Sequence, residues 1–163
     1  MSQEFDLDTR GWDAFWERFA ALAEDVPQQK RAMLEKVGLR INAEVWLAMG
    51  RSRLRDTTGR VAKYQTRHMG SGGGYVAVRA DSVEVEAGGS HSQRINAGAL
   101  TNFLTSGHRV RPPSGRSARY RPRANMSRVP GFDFYQKAAG RAQAIGLEEA
   151  QRLLEELEKE LTK

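Results

Sequence analysis

The apolar positions of this chain change their spacing three times, and each change predicts a change of element. Trp12, Phe15, Trp16, Phe19, Leu22 and Ala23 recur at intervals of three and four, the mark of an amphipathic helix that Asp8 or Thr9 can cap. Asp13, Glu17 and Glu24 stand near this face where a membrane-surface helix would carry Lys and Arg, so the spacing predicts packing against the next helix. Asp25-Val26-Pro27-Gln28 predicts a stop and a restart: proline fits a first turn, and Asp25 with Gln28 has capping-box spacing. The second helix is expected to run to about Met49, with Leu34, Val37, Ile41, Val45 and Ala48 on one stripe. Met33, Trp46 and Met49 widen that stripe, and Gly50 is a natural stop.

Beyond it the period shortens. Thr58-Gly59 predicts a turn with Gly59 at positive φ, followed by a strand over 61–68. Gly70-Ser71-Gly72-Gly73-Gly74 predicts a hairpin tip; it lacks the Gly-Lys-Ser/Thr ending and following helix of a phosphate loop. Residues 75–79 and 83–86 alternate apolar and polar, as half-buried antiparallel strands do, with Ala80-Asp81-Ser82 as the hairpin link between them. A short helix over 96–105 ends at Gly107. The helical period returns after Gly131-Phe132-Asp133, with Phe134, Ala138, Ala142 and Ile145 on one face. Past Gly146, taken as the point where the phase changes, Leu147, Ala150, Leu154, Leu157 and Leu161 keep heptad spacing over too short a run for a coiled coil.

These elements predict an α+β fold: an antiparallel three- to four-stranded sheet packed by a long helix of the N-terminal half and a C-terminal helix, with a long basic loop. A single domain over 1–163 is expected, since that length can bury a real core. It divides into a polar lead-in (1–8), two helices (9–50), β-hairpins (58–87), a basic arm with a short helix (88–132) and the C-terminal helix (133–161).

Charge changes the picture more than composition does. The net charge is +6, and it is segregated. Residues 87–132 contain no Asp or Glu but eight arginines, at 94, 109, 111, 116, 119, 121, 123 and 128. Pro112, Pro113, Pro122 and Pro130 with Gly107, Gly115 and Gly131 break regular structure there. Residues 148–160 hold six glutamates against Arg152 and Lys159. Two readings of this asymmetry stand: self-association of an acidic helix with a neighbour's basic arm, or a solvated helix face. The arm suits an acidic protein surface or, through its arginine forks and Tyr120, the backbone of a nucleic acid without base readout. Its candidate contact residues are Arg109, Arg111, Arg116, Arg119, Tyr120, Arg121, Arg123 and Arg128.

Candidate chemistry is sparse. His68, His91 and His108 lie far apart in sequence, and cysteine is absent, which removes disulfides and thiolate metal sites. Glu84 and Glu86 share one strand face, where a basic neighbour would account for them. No catalytic residue, cofactor or metal is expected. The acidic start of the chain and the lack of a long apolar run predict no membrane association and a cytosolic setting.

The order of motifs resembles the neck and tail-completion proteins of tailed bacteriophages, over roughly residues 28–160. Members carry a long helix and a Pro-Val-x-Thr-Gly-x-Leu turn, here Asp56-Thr57-Thr58-Gly59-Arg60-Val61 without the proline. Strands follow, then a segment like Asn-Tyr-Ala-x-x-Val-Glu-x-Gly-His-Arg. The counterpart here runs from Asn96-Ala97-Gly98 to Thr105-Ser106-Gly107-His108-Arg109, with the usual Tyr-Ala and Glu replaced. Val129-Pro130-Gly131-Phe132 precedes the last helix as a Val-x-Gly-Phe segment does in the family. The resemblance implies a structural virion protein without catalysis, in a ring that completes or terminates the tail and joins it to the DNA-filled head. It implies a hexameric homo-oligomer assembled in the host cytoplasm. Its neighbours would be the head-completion or connector protein and the tail-tube protein, with non-specific contact to double-stranded DNA in the channel. Leu154, Glu155, Leu157 and Glu158 are the candidate ring-interface residues. The alternative is a sequence-nonspecific nucleic-acid-binding protein that uses the arm directly.

Overall fold

A computed structural model describes residues 10–54, 56, 59–87, 93–109 and 128–162. Its frame is two long helices, α1 (Arg10–Arg51) and α4 (Phe134–Leu161). They run antiparallel, with Glu44 of α1 bonded to Arg141 and Arg40 bonded to Glu149 further along α4. Between them in sequence come α2 (Arg60–Lys63), β1 (Gln65–Met69), β2 (Val76–Ala80), β3 (Glu84–Ala87), β4 (Gln93–Asn96), α3 (Ala97–Ser106), β5 (His108–Arg109) and β6 (Arg128–Val129).

The expected break at Pro27 does not occur: α1 is one helix of 42 residues with Pro27 inside it. Asp25 does not cap a new helix; its carboxylate accepts a 2.7 Å bond from the Gln29 amide one turn on. Pro27 is exposed, so water can serve the carbonyl that loses its partner, while the stripe from Leu34 to Met49 holds the rest of the helix. That stripe is buried as expected at Val37, Val45, Ala48 and Met49, but Trp46 is 51% exposed. The aromatics of the first block also fail to enter the core. Trp12, Trp16 and Phe19 are exposed, and the rings of Trp16 and Phe19 meet each other and Phe15.

The turn at Gly59 has the positive φ expected of it, 63°. Residues 60–63 are a single helical turn, not the start of a strand, because the Asp56 carboxylate accepts bonds from the Val61 and Ala62 N–H groups at 2.9 and 3.0 Å. The strand begins at Gln65 and forms the expected hairpin over the glycine tip, closed by Gly70 N–H to Tyr75 O at 2.8 Å. The three- to four-stranded sheet is not formed. Three separate antiparallel pairs replace it: β1–β2, β3–β4 and β5–β6. Residues 80–82 do not make a β2–β3 hairpin, since the Asp81 N–H is held by Tyr64 O and its carboxylate accepts from Thr66 Oγ1 at 2.6 Å. The chain is thereby turned away from β2, and β3 pairs instead with β4, a strand not anticipated inside the arm region. Glu84 of β3 has the basic neighbour it called for, Arg94, at 3.7 Å.

The core joins the C-terminal half of α1 to the N-terminal end of α4: Val45, Ala48, Met49, Val61, Phe134 and Ala138. Leu54, Val78, Leu100, Leu104, Phe132 and Tyr135 pack around it. Phe134 is wholly buried, worth roughly 2–3 kcal/mol of transfer free energy. A buried polar tie crosses the same region. The Gln65 amide donates to Val61 O (3.0 Å) and Thr101 Oγ1 (3.1 Å), and the Tyr135 hydroxyl donates to Gln65 Oε1. Each polar atom of the tie is satisfied, so β1, α3 and α4 are fixed relative to one another. Gly146 produces no break; α4 runs through it as one helix.

Candidate functional site

The structure builds a base for the basic arm. Asn96 caps α3, its side-chain oxygen accepting from Gly98 N–H at 2.8 Å and Ala99 N–H at 3.4 Å, and Gly107 ends the helix at φ 72°. The chain leaves as β5 and returns as β6, pairing His108 with Val129 and Arg109 with Arg128. The returning strand then covers the end of α3: Phe132 N–H donates to Leu104 O (2.9 Å) and Asp133 N–H to Thr105 O (3.0 Å). Gly107 and Gly131 cross here with no room for a side chain. A Cβ on Gly107 would come within 2.3 Å of Val129 O, and one on Gly131 within 2.1 Å of Thr105 O. The ends of the arm are therefore locked together by backbone contact, and the two motif segments quoted above become neighbours in space.

Of the arm's candidate contact residues, Arg109 and Arg128 are placed: both are exposed, directly opposite one another on the two-residue ribbon. Arg128 donates to Ser106 O at 3.1 Å, and neither arginine has a carboxylate partner among the described residues. Like charges facing each other across a strand pair destabilise it, so an anion held between the two arginines would stabilise the ribbon. Arg111, Arg116, Arg119, Tyr120, Arg121 and Arg123 lie outside the described residues.

The ring-interface candidates fall on the outer side of α4. Leu154 is 64% exposed, Glu155 and Glu158 are exposed, and Leu157 is half-buried. Leu147, one heptad before Leu154, is also exposed, so an apolar pair stands beside the glutamates. The opposite side of α4 holds a charged clamp that sequence reading missed. Arg40 donates to Glu149 Oε1 and Glu148 Oε2, each at 2.6 Å, and Arg152 donates to Glu149 at 3.0 Å. These bonds raise the already high pKa of Arg40, and the bond from Arg40 holds the Glu148 carboxyl below the usual range. Glu149 is buried and Glu148 half in water, so Glu149 is the inner anchor of the clamp.

A polar cavity of about 500 Å³ lies behind β1–β2, lined among others by His68, Arg79, Ser82, Asn102 and Tyr135. Burial pushes the Tyr135 hydroxyl pKa up. His68 Nε2 lies 3.0 Å from Thr66 Oγ1 and 3.2 Å from Asp81 Oδ1. This is not a nucleophile relay, in which the carboxylate orients one ring nitrogen while the other faces the hydroxyl. Here a single nitrogen meets both groups, and the Thr66 proton is already given to Asp81. Among the described residues no cluster of three potential metal ligands forms, and no helix is long and apolar enough to cross a membrane. The chain matches no protein-family model, no curated protein and no solved structure.

Proposed function

We propose that this chain is a structural subunit of a tailed-phage neck, forming a ring that completes or terminates the tail and joins it to the DNA-filled head. The observation that carries the reading is the base of the arm. The Gly-His-Arg and Val-Pro-Gly-Phe segments that underlie the family resemblance meet in one glycine crossing, with a stretch of 18 residues free of Asp and Glu spanning it. A locked base under a basic arm suits contact with the next subunit or the next ring. The exposed leucines and glutamates on the outer side of α4 offer a surface of opposite charge. A ring needs two different patches on each subunit, and arm and α4 are such a pair. The same reading places the protein in the virion neck, assembled in the host cytoplasm between a connector and the tail tube, working without catalysis.

The facing pair Arg109 and Arg128 favours a second reading, non-specific binding of nucleic-acid backbone. Light scattering after size exclusion, with negative-stain imaging of the same peak, separates the two. Rings, alone or on adding tail-tube protein, are expected under the first reading. A monomer under both conditions that binds random DNA, with a salt slope reduced in an R109A/R128A variant, would replace it with the second.

A further inference from the structure

The polar cavity behind β1–β2 has the size of a small-molecule site, about 500 Å³. Its walls are fixed by the buried tie. Thr101, 2% exposed, and Tyr135 both line the cavity and both bond to Gln65, so α3 and α4 hold their sides of it against β1. Asn96 braces the rim: its amide donates to Ser82 Oγ at 3.2 Å while its oxygen caps α3.

What these walls offer is donors. Ser82 Oγ accepts from Asn96, which leaves the Ser82 hydroxyl its own proton to give. Arg79 and Asn102 line the cavity from exposed positions. Arg79 has no carboxylate partner, and the Asn102 amide no hydrogen bond, among the described residues. Acceptors of negative charge are missing from the same lining, which contains no Asp or Glu. The carboxylate next to it in sequence is Asp81, whose Oδ1 accepts from Thr66 Oγ1 and stands 3.2 Å from His68 Nε2. Burial raises the Tyr135 pKa, so the phenol stays neutral, and its proton is already given to Gln65. The N-terminal end of α3 adds a favourable dipole at Gly98. Its first N–H groups are taken by Val83 O and Asn96 Oδ1, so a ligand would be held by side chains.

A guanidinium, a hydroxyl and an amide on separate elements suit a group with several oxygens to share among them, and phosphate is such a group. The rest of the cavity, along His68, Thr101 and Tyr135, leaves room for a polar body attached to it. We propose that this cavity binds the phosphate group of a small polar molecule of about the size of a sugar phosphate, with Arg79 as the principal contact and Ser82 and Asn102 beside it. The site does not rest on the ring reading: binding by a monomer supports it as well as binding by a ring.

The full chain is titrated with ribose 5-phosphate, inorganic phosphate and ribose, and binding is read by saturation transfer to the ligand and by the phosphorus line width. Ribose 5-phosphate is expected to bind saturably and more tightly than inorganic phosphate, and ribose not to bind. R79Q is expected to weaken the sugar phosphate about tenfold, the loss of one charge-assisted contact, with thermal unfolding unchanged. N102A is expected to weaken it less. Absence of saturable binding by ribose 5-phosphate would overturn the proposal, as would equal binding of ribose. Binding kept in R79Q and lost in R109A/R128A would also overturn it, by placing the phosphate on the β5–β6 ribbon. Duplex DNA that binds wild type and not R79Q, with no binding of ribose 5-phosphate, would give Arg79 to a nucleic-acid backbone and overturn the small ligand.

Discussion

Gly38 sits inside α1, where glycine ordinarily costs helix stability, and the hairpin explains it. A Cβ at this position would stand 2.6 Å from Val76 Cγ2 and 3.4 Å from Arg67 Cβ, so β1–β2 can approach α1 only over a missing side chain. Gly38→Ala is expected to lose about 1–3 kcal/mol in urea unfolding, with V76A in the same chain restoring part of it. Absence of rescue would locate the cost elsewhere. Asp133 poses the opposite case. It is the non-glycine residue at positive φ among those described, 50°, just before α4, and its side chain makes no capping bond. Asp133→Gly should stabilise the protein by about 1 kcal/mol, since the left-handed conformation no longer meets a Cβ. A loss of stability on thermal unfolding would mean that the Asp133 carboxylate serves α4 after all. Single residues with fixed chemistry were the most legible: Gly59 at positive φ, Gly107 as the end of α3, Gly131 before the last helix. The close crossing of Gly107 with Gly131 was not, because it depends on which strands meet.

Among the elements, those defined by a local signal are present as expected: α3 ending at its glycine, β1–β2 over its glycine run. Those that need knowledge of a distant partner are not. Pro27 is a local stop signal, yet the packing of the stripe that follows lies across α4, more than a hundred residues on, and α1 continues. The alternation of 75–79 and 83–86 located two strands and could not say that β3 would choose β4. Arg40 and Glu149 are 109 positions apart, and nothing in their spacing announces the clamp. That clamp gives the α1–α4 contact a pH dependence. The Glu148 pKa is lowered first by its hydrogen bond from Arg40 and then by the charge of Arg40. A carboxyl with a depressed folded pKa contributes stability above its ordinary value of 4.5, and that contribution is lost as pH falls through the folded value. Wild type is therefore expected to exceed E148Q in stability at neutral pH, and the gap to close as the pH falls below 4.5. A gap that stays constant across an acid titration would assign the effect of the substitution to packing.

In the whole molecule, the body and the arm are held by different forces. The body rests on apolar burial around Phe134 and on the Gln65 tie; the described base of the arm is held by the Gly107–Gly131 crossing, the β5–β6 pair and the two bonds that close α3. Because the crossing fixes the distance between the arm's two ends, closure of that loop is nearly independent of what spans it. Doubling the length of a flexible loop adds only about 0.6 kcal/mol of closure entropy. Replacing residues 112–125 by a short Gly/Ser linker should therefore leave the melting temperature within a few degrees of wild type while removing Arg116, Arg119, Arg121 and Arg123. A collapse of the melting temperature would show that the arm helps hold the body. If stability survives, the arm is a segment that selection can rewrite for a new partner at almost no risk to the fold beneath it. Length and charge there would then diverge fastest between related chains, while the two glycines stay put.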